Sequence, residues 1–143
     1  MITHLWHTIL GMPKQDEAWH RQDVADEMDE LKEARGFFAR WSELSDVAYT
    51  VTRAWWSGHE SIKWPWSRRR RWWGSLYMFP KYTLRWLFFW ILGKRFDRRL
   101  GMTEVRNPAK VHKLHEIAER NGIDPVNFER AAKRLLRFWP LLK

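Results

Sequence analysis

The chain has 143 residues, of which 45% are apolar and none is cysteine, so we expect one domain with a real core and no disulfide or thiolate metal site. The net charge of +9 is uneven: residues 1–60 contain 6 Lys/Arg against 11 Asp/Glu, whereas residues 61–143 contain 20 against 6. These halves suggest a cation site and an anion site, although a solvated charged surface would have the same composition.

Six helices are predicted from the spacing of apolar residues. They cover about 3–11, 15–35, 38–56, 81–99, 108–121 and 125–139. Gly36 separates the second helix from the third, and Asn121-Gly122 ends the fifth. The pairs Asn107-Pro108 and Asp124-Pro125 are predicted to begin the fifth and sixth helices, because proline is tolerated at the first helical position.

Strand signals are nearly absent, so the predicted fold class is all-α. We expect a helical bundle in a single domain over 1–143, with a Trp/Arg-rich insertion at about 57–80. The longest apolar run is residues 86–92, which is far shorter than the roughly 20 residues of a membrane span. Because the N-terminus also lacks the pattern of a secretory signal, we expect a cytoplasmic protein with no transmembrane segment.

Two acidic pairs flank the predicted turn at Gly36. Glu27 and Glu30 are three residues apart, as are Glu43 and Asp46, so each pair shares one helix face. In an antiparallel hairpin, Glu30 would lie opposite Glu43 and Glu27 opposite Asp46. Such a group of anions favours a hard divalent cation, with Mg²⁺ expected and Mn²⁺ possible. The alternative is two ordinary acidic pairs on exposed helix faces.

This arrangement resembles the MazG-like, all-α nucleotide pyrophosphohydrolases. Their signature is an ExxE pair on one helix, a spacer of a dozen or more residues, and an ExxD pair on the next helix. Here Glu27/Glu30 and Glu43/Asp46 are separated by residues 31–42. The resemblance covers about residues 18–54. It implies Mg²⁺-dependent hydrolysis of a nucleoside triphosphate to the monophosphate and pyrophosphate, with Glu30 or Glu43 activating the water.

Other residues have the chemistry to bind a nucleotide. Tyr49, Trp19 and Trp55 offer aromatic faces on which a base can stack. Asn107 and Lys110 lie at the predicted start of the fifth helix, where a phosphate is attracted by free N–H groups, and Lys94 is nearby in sequence. Each of these residues also has an ordinary structural explanation, as core packing for the aromatic rings and as a cap or surface charge for the others.

The segment Trp64–Gly74 mixes arginine with tryptophan. This pattern is typical of surfaces that contact nucleic acid or an anionic membrane, and also of a solvated loop. It therefore supports an alternative function, a non-enzymatic helical binding protein. The following Leu84–Phe96 is apolar nearly all round, which predicts a helix buried in a large core or between the subunits of a homo-oligomer; attachment to a membrane surface is the alternative. The pairs His4/His7 and His112/His115 lack a recognisable third ligand for zinc.

Overall fold

A computed structural model describes residues 2–100, 108 and 110–138, and in these ranges the chain is helical with no strand. This confirms the all-α prediction. In chain order, the helices are α1 (Ile2–Ile9), α2 (Glu17–Glu33), α3 (Phe37–Trp56), α4 (Arg68–Arg95), α5 (Val111–Arg120) and α6 (Pro125–Leu136). No helix within the described ranges is long and apolar enough to cross a bilayer.

The chain forms two compact units, Met1–Pro80 and Lys81–Lys143, and the division falls inside α4. The first unit contains α1, α2 and α3, and α3 packs against both α2 and α1. The second contains α5 and α6, which pack against each other. The single domain over 1–143 stays a prediction.

Helices α2 and α3 form a tight helical hairpin. Asp16 caps α2 by accepting the Trp19 N–H at 2.7 Å, and α2 ends where Ala34 becomes extended. Gly36 then adopts φ +87°, a conformation that glycine reaches without the steric cost of a Cβ. Because only Ala34 to Gly36 separate the two helices, α3 must return along α2. The predicted break at Gly36 is confirmed.

The predicted boundary of the fourth helix is wrong. The sequence predicts a connection over about 57–80, which contains Pro65 and Pro80, and a helix over about 81–99. In the structure α4 begins at Arg68 and passes through Pro80. Packing against α3 accounts for the early start: Met78 is fully buried, and Gly74 lies so close to Leu44 that a Cβ would be 2.8 Å from the Leu44 carbonyl oxygen. These contacts outweigh the weak helix propensity of glycine.

The second unit has its own apolar core, contributed by α4, α5, α6 and the segments beside them. Its buried residues are Phe88, Phe89, Leu92, Leu100, Leu114, Ile117, Ala118, Ile123, Phe128, Ala131 and Ala132. From the apolar segment Leu84–Phe96, this core takes Phe88, Phe89 and Leu92, with Leu84 and Phe96 packed against it, whereas Trp90 is exposed. The homo-oligomer that this segment suggested stays a prediction.

The ends of α5 and α6 test the sequence signals for helix termini. Asp124 accepts the Asn127 N–H at 2.8 Å with Pro125 at the first helical position, as predicted. Gly122 follows α5 with φ +65°, which confirms the predicted helix end. The predicted start of α5 is wrong: Pro108 lies in a turn, and α5 begins at Val111 after Lys110.

Candidate metal centre

The face of α2 that packs on α3 is unusually polar. Its residues withdrawn from solvent recur at three- and four-residue steps and include Asp23 and Glu27 as well as His20. Glu30, one turn beyond Glu27, is exposed at the edge of this face. Val24, Met28 and Leu31 are also withdrawn from solvent, so α2 directs carboxylates at its neighbour from among apolar side chains.

Three of the four predicted ligands converge. Glu27, Glu30 and Glu43 each offer a carboxylate oxygen, and these oxygens all lie within 4.8 Å of one another. Glu43 is half-buried on α3, as Glu27 is on α2. Asp46, one turn further along α3, is outside this group of three and is 7% exposed.

The charges around Glu27 show how closely the carboxylates are grouped. Burial and, after it, four neighbouring carboxylates together raise the pKa of Glu27 from its ordinary 4.5 to about 8. In order of effect, they are Asp46, Glu30, Asp23 and Glu43. Asp46 therefore acts on Glu27 more strongly than the other carboxylates do, although it is not one of the three converging ligands. This is the relationship expected if the two residues face each other across the hairpin.

The donor set fits a hard divalent cation. Neighbouring oxygens around an octahedral Mg²⁺ lie about 3 Å apart, given metal–oxygen distances of about 2.1 Å. Oxygens already within 4.8 Å of one another need only small side-chain rotations to reach this spacing. A bound cation would also favour the ionised form of Glu27, which burial and the neighbouring carboxylates oppose. Glu27, Glu30 and Glu43 would hold the ion, with Asp46 beside Glu27.

A fifth acid, Asp23, was missed in the sequence. It precedes Glu27 by four residues and so shares its face, and that spacing could have revealed it. Burial raises the pKa of Asp23 to about 6, an effect that Arg53 opposes. Arg53 is 8% exposed, donates to the Pro13 carbonyl oxygen at 3.2 Å and stacks 4.6 Å above the Trp19 ring. The hairpin interior thus carries a cationic side chain next to its acids.

The predicted aromatic ligands all lie in the first unit, where each has structural contacts. Tyr49 is buried, with ring centroids 5.7 Å from Trp6 and 5.3 Å from His7. Trp19 lies under the Arg53 guanidinium. Trp55 donates its Nε1–H to the Ile62 carbonyl oxygen at 2.7 Å. A role for these three in binding a base stays a prediction.

The structure describes two of the three predicted phosphate ligands. Lys94 is exposed on α4 with its Nζ 5.8 Å from the centroid of the Trp90 ring, and Lys110 is exposed immediately before α5. Both belong to the second unit. Asn107 lies outside the described residues. A role for these three residues in binding a phosphate stays a prediction.

The histidine pairs do not form a metal site in the described ranges. His115 instead lies 2.7 Å from Glu129, measured from Nε2 to Oε2.

Comparison of the chain with protein-family models, with curated proteins and with solved structures finds no match in any of the three.

Proposed function

We propose that the protein is a Mg²⁺-dependent nucleoside triphosphate pyrophosphohydrolase whose metal ligands are Glu27, Glu30 and Glu43. The observation that supports this most is the convergence of these three carboxylates on facing helices. The spacing of the pairs resembles the ExxE and ExxD signature of the MazG-like enzymes, and that resemblance supplies the reaction class. Mn²⁺ suits the same oxygen ligands.

The reaction would break the bond between the α-phosphorus and the oxygen that bridges to the β-phosphate. A water oxygen attacks the α-phosphorus, pyrophosphate leaves, and the proton of the water passes to a carboxylate. Mg²⁺, when bound, supplies charge neutralisation at the phosphates. Glu27 would bind in its ionised form, so cation binding releases the proton that burial favours.

Glu30 and Glu43 are the candidates for the residue that accepts the proton from water. Glu30 is exposed at the edge of the hairpin, where water and substrate can reach it, whereas Glu43 is half-buried. A general base must come within hydrogen-bond reach of its proton donor, which favours Glu30.

Pyrophosphate release from a panel of canonical and modified nucleoside triphosphates, with Mg²⁺ or Mn²⁺, tests this proposal. We expect release by the wild type, with both Glu30→Gln and Glu43→Gln slower by roughly 100-fold or more. Glu33→Gln is the matched control, because Glu33 is an exposed acid at the end of the same helix. The proposal fails if the folded wild type releases no pyrophosphate, or if both site variants match the control.

A further inference from the structure

One end of the first unit exposes an unusual number of large apolar side chains. Phe37 and Phe38 at the start of α3 are 71% and 78% exposed, and Trp72 near the start of α4 is 64% exposed. Trp73 and Leu76 beside it are also exposed. Scattered apolar residues are normal on protein surfaces, but a contiguous group of this size marks an interaction site.

These side chains belong to one surface, because Trp41 joins the two helices. Its ring stacks on Tyr77 with centroids 4.7 Å apart, and its edge meets Trp73 at 5.9 Å. Its Nε1–H donates to the Trp73 carbonyl oxygen at 3.0 Å. The close approach of Gly74 to Leu44 holds the same two helices together. We call residues 37, 38, 72, 73 and 76, together with Arg40, Arg68, Arg69 and Arg70, the aromatic–basic surface.

The surface is strongly cationic. Arg68, Arg69 and Arg70 are exposed in the first turn of α4, and Arg40 is exposed on α3. Arg71 differs from them, because its guanidinium stacks 5.1 Å from the rings of both Trp55 and Trp64. The charge of the first turn is therefore displayed beside the exposed aromatic rings.

A largely apolar groove of about 590 Å³ opens within this surface. Its lining contains two arginines and no acid, and consists of Leu31, Gly36, Phe37, Arg40, Trp41, Leu44, Arg70 and Trp73. The groove thus combines aliphatic and aromatic walls with cationic groups, which suits an amphiphile with an anionic head.

We propose that the aromatic–basic surface binds an anionic lipid bilayer. Aromatic rings favour the level of the lipid headgroups, and arginines beside them pair with lipid phosphates. Phe37, Phe38 and Leu76 would enter the acyl region, where their exposure to water ends. The groove would take part of an acyl chain near Arg40 and Arg70. Binding would be peripheral and would not depend on nucleotide hydrolysis.

Two other occupants fit the surface less well. A second copy in a symmetric contact would bring the exposed arginines of both copies together, which is unfavourable. A nucleic acid would satisfy the arginines, but a phosphodiester backbone gains nothing from Leu76 or from an apolar groove. Charge and apolar exposure occur together here, and an anionic bilayer satisfies both.

Sedimentation with vesicles tests the proposal on the full chain. The vesicles are pure phosphatidylcholine, or phosphatidylcholine with phosphatidylglycerol at about three to one. We expect binding to the anionic vesicles and little to the neutral ones. Phe37→Ser with Phe38→Ser, and separately Arg68→Gln with Arg69→Gln and Arg70→Gln, should each weaken binding roughly tenfold or more.

Matched controls come from the second unit. Val126→Ser with Phe138→Ser removes two exposed apolar side chains, and Arg130→Gln with Arg134→Gln and Arg137→Gln removes three exposed charges. Both should bind vesicles within about twofold of the wild type, if binding is local rather than a response to net charge.

Three results would overturn the proposal. One is an absence of binding to anionic vesicles by the folded wild type. Another is a pair of observations: the wild type binds a DNA duplex or single strand, and the double substitution Phe37→Ser with Phe38→Ser leaves vesicle binding unchanged. The third is dissociation of an oligomer by those substitutions in sedimentation equilibrium, which would assign the surface to a second copy of this chain.

Discussion

Glu27 on α2 is destabilised as an anion by Asp46 on α3, which raises its pKa more than any other neighbouring carboxylate. The two residues lie on different helices, so folding itself brings their charges together. Together with burial, this holds the pKa of Glu27 at about 8. In the absence of a cation, Glu27 therefore keeps its proton in the folded hairpin at neutral pH, where the same side chain in an unfolded chain would be ionised.

The first prediction concerns the metal-free stability at alkaline pH. The folded pKa of Glu27, about 8, lies above the ordinary 4.5. The contribution of the protonated Glu27 side chain to the free energy of unfolding is therefore fully present below pH 4.5 and is lost as pH rises through 8. Glu27→Gln keeps a neutral side chain, so it should raise the free energy of unfolding at pH 8 by on the order of 2 kcal/mol. Denaturant unfolding in EDTA at pH 5 and pH 8 measures this.

Glu33→Gln is the control for this substitution, since Glu33 is exposed on the same helix. It should change the free energy of unfolding little at either pH. If Glu27→Gln destabilises the metal-free protein equally at pH 5 and pH 8, the side chain is not a protonated acid in the fold.

The second prediction is an acid-sensitive core. Burial, with Arg53 nearby, lowers the pKa of His7 to about 3 and that of His20 to about 4. Both pKa values lie below the ordinary 6.5, so the stability they contribute is present above pH 6.5 and is lost as pH falls toward 4. Each histidine should lower the free energy of unfolding by ~2 kcal/mol between pH 7 and pH 4.5. Denaturant unfolding curves across this range measure the slope of the free energy of unfolding against pH.

Asparagine substitutions separate this effect from other titrations. His7 is 3.0 Å from the Thr52 hydroxyl and His20 is 3.0 Å from the Ser57 hydroxyl, so both variants lose stability at pH 7. Each should nevertheless show a shallower loss on acidification. His112→Asn, at an exposed position of α5, should keep the wild-type slope of stability against pH. An unchanged slope in both buried variants contradicts the prediction.

The third prediction concerns the contact between α3 and α4. Alanine is favoured over glycine inside a helix by about 1 kcal/mol. At Gly74, however, the new Cβ would lie 2.8 Å from the Leu44 carbonyl oxygen and 3.2 Å from the Ala48 Cβ. Backbone cannot move aside as a flexible side chain can, so Gly74→Ala should lower the free energy of unfolding by ~2 kcal/mol.

Ser75→Ala provides the matched control, because it introduces alanine at the next position of α4. Thermal unfolding of the two variants should differ, with only Gly74→Ala melting below the wild type. If Gly74→Ala instead raises the melting temperature, helix propensity outweighs the contact, and α3 and α4 pack less closely than the 2.8 Å approach to the Leu44 carbonyl oxygen requires.

The fold class and most helix ends could be predicted from local signals. Gly36, the Asp124-Pro125 pair and Gly122 act within a few residues, so their effect is readable in the sequence. The start of α4 could not be predicted in this way. It depends on the burial of Met78 and the close fit of Gly74, which are contacts with a distant part of the chain.

The candidate site also has features that local spacing predicts and features that depend on distant parts of the chain. Spacing around Gly36 was sufficient to expect carboxylates from two helices in one place, and three of them converge. Spacing alone could not distinguish Asp46, which lies beside Glu27, from the three ligands. Nor could it predict Arg53, whose position depends on the Pro13 carbonyl oxygen and the Trp19 ring. Helix periodicity places a side chain on a face, but partners from other segments decide its environment.

The most direct test of the central claim is a Mn²⁺ titration followed by the electron paramagnetic resonance signal of the free ion. Mn²⁺ takes the same carboxylate ligands as Mg²⁺, and its binding can be measured without any substrate. We expect one ion bound per chain, competition by Mg²⁺, and affinity weakened at least roughly tenfold in Glu30→Gln and in Glu43→Gln but not in Glu33→Gln. Identical titrations of all three variants and the wild type would contradict a metal site on the α2–α3 hairpin.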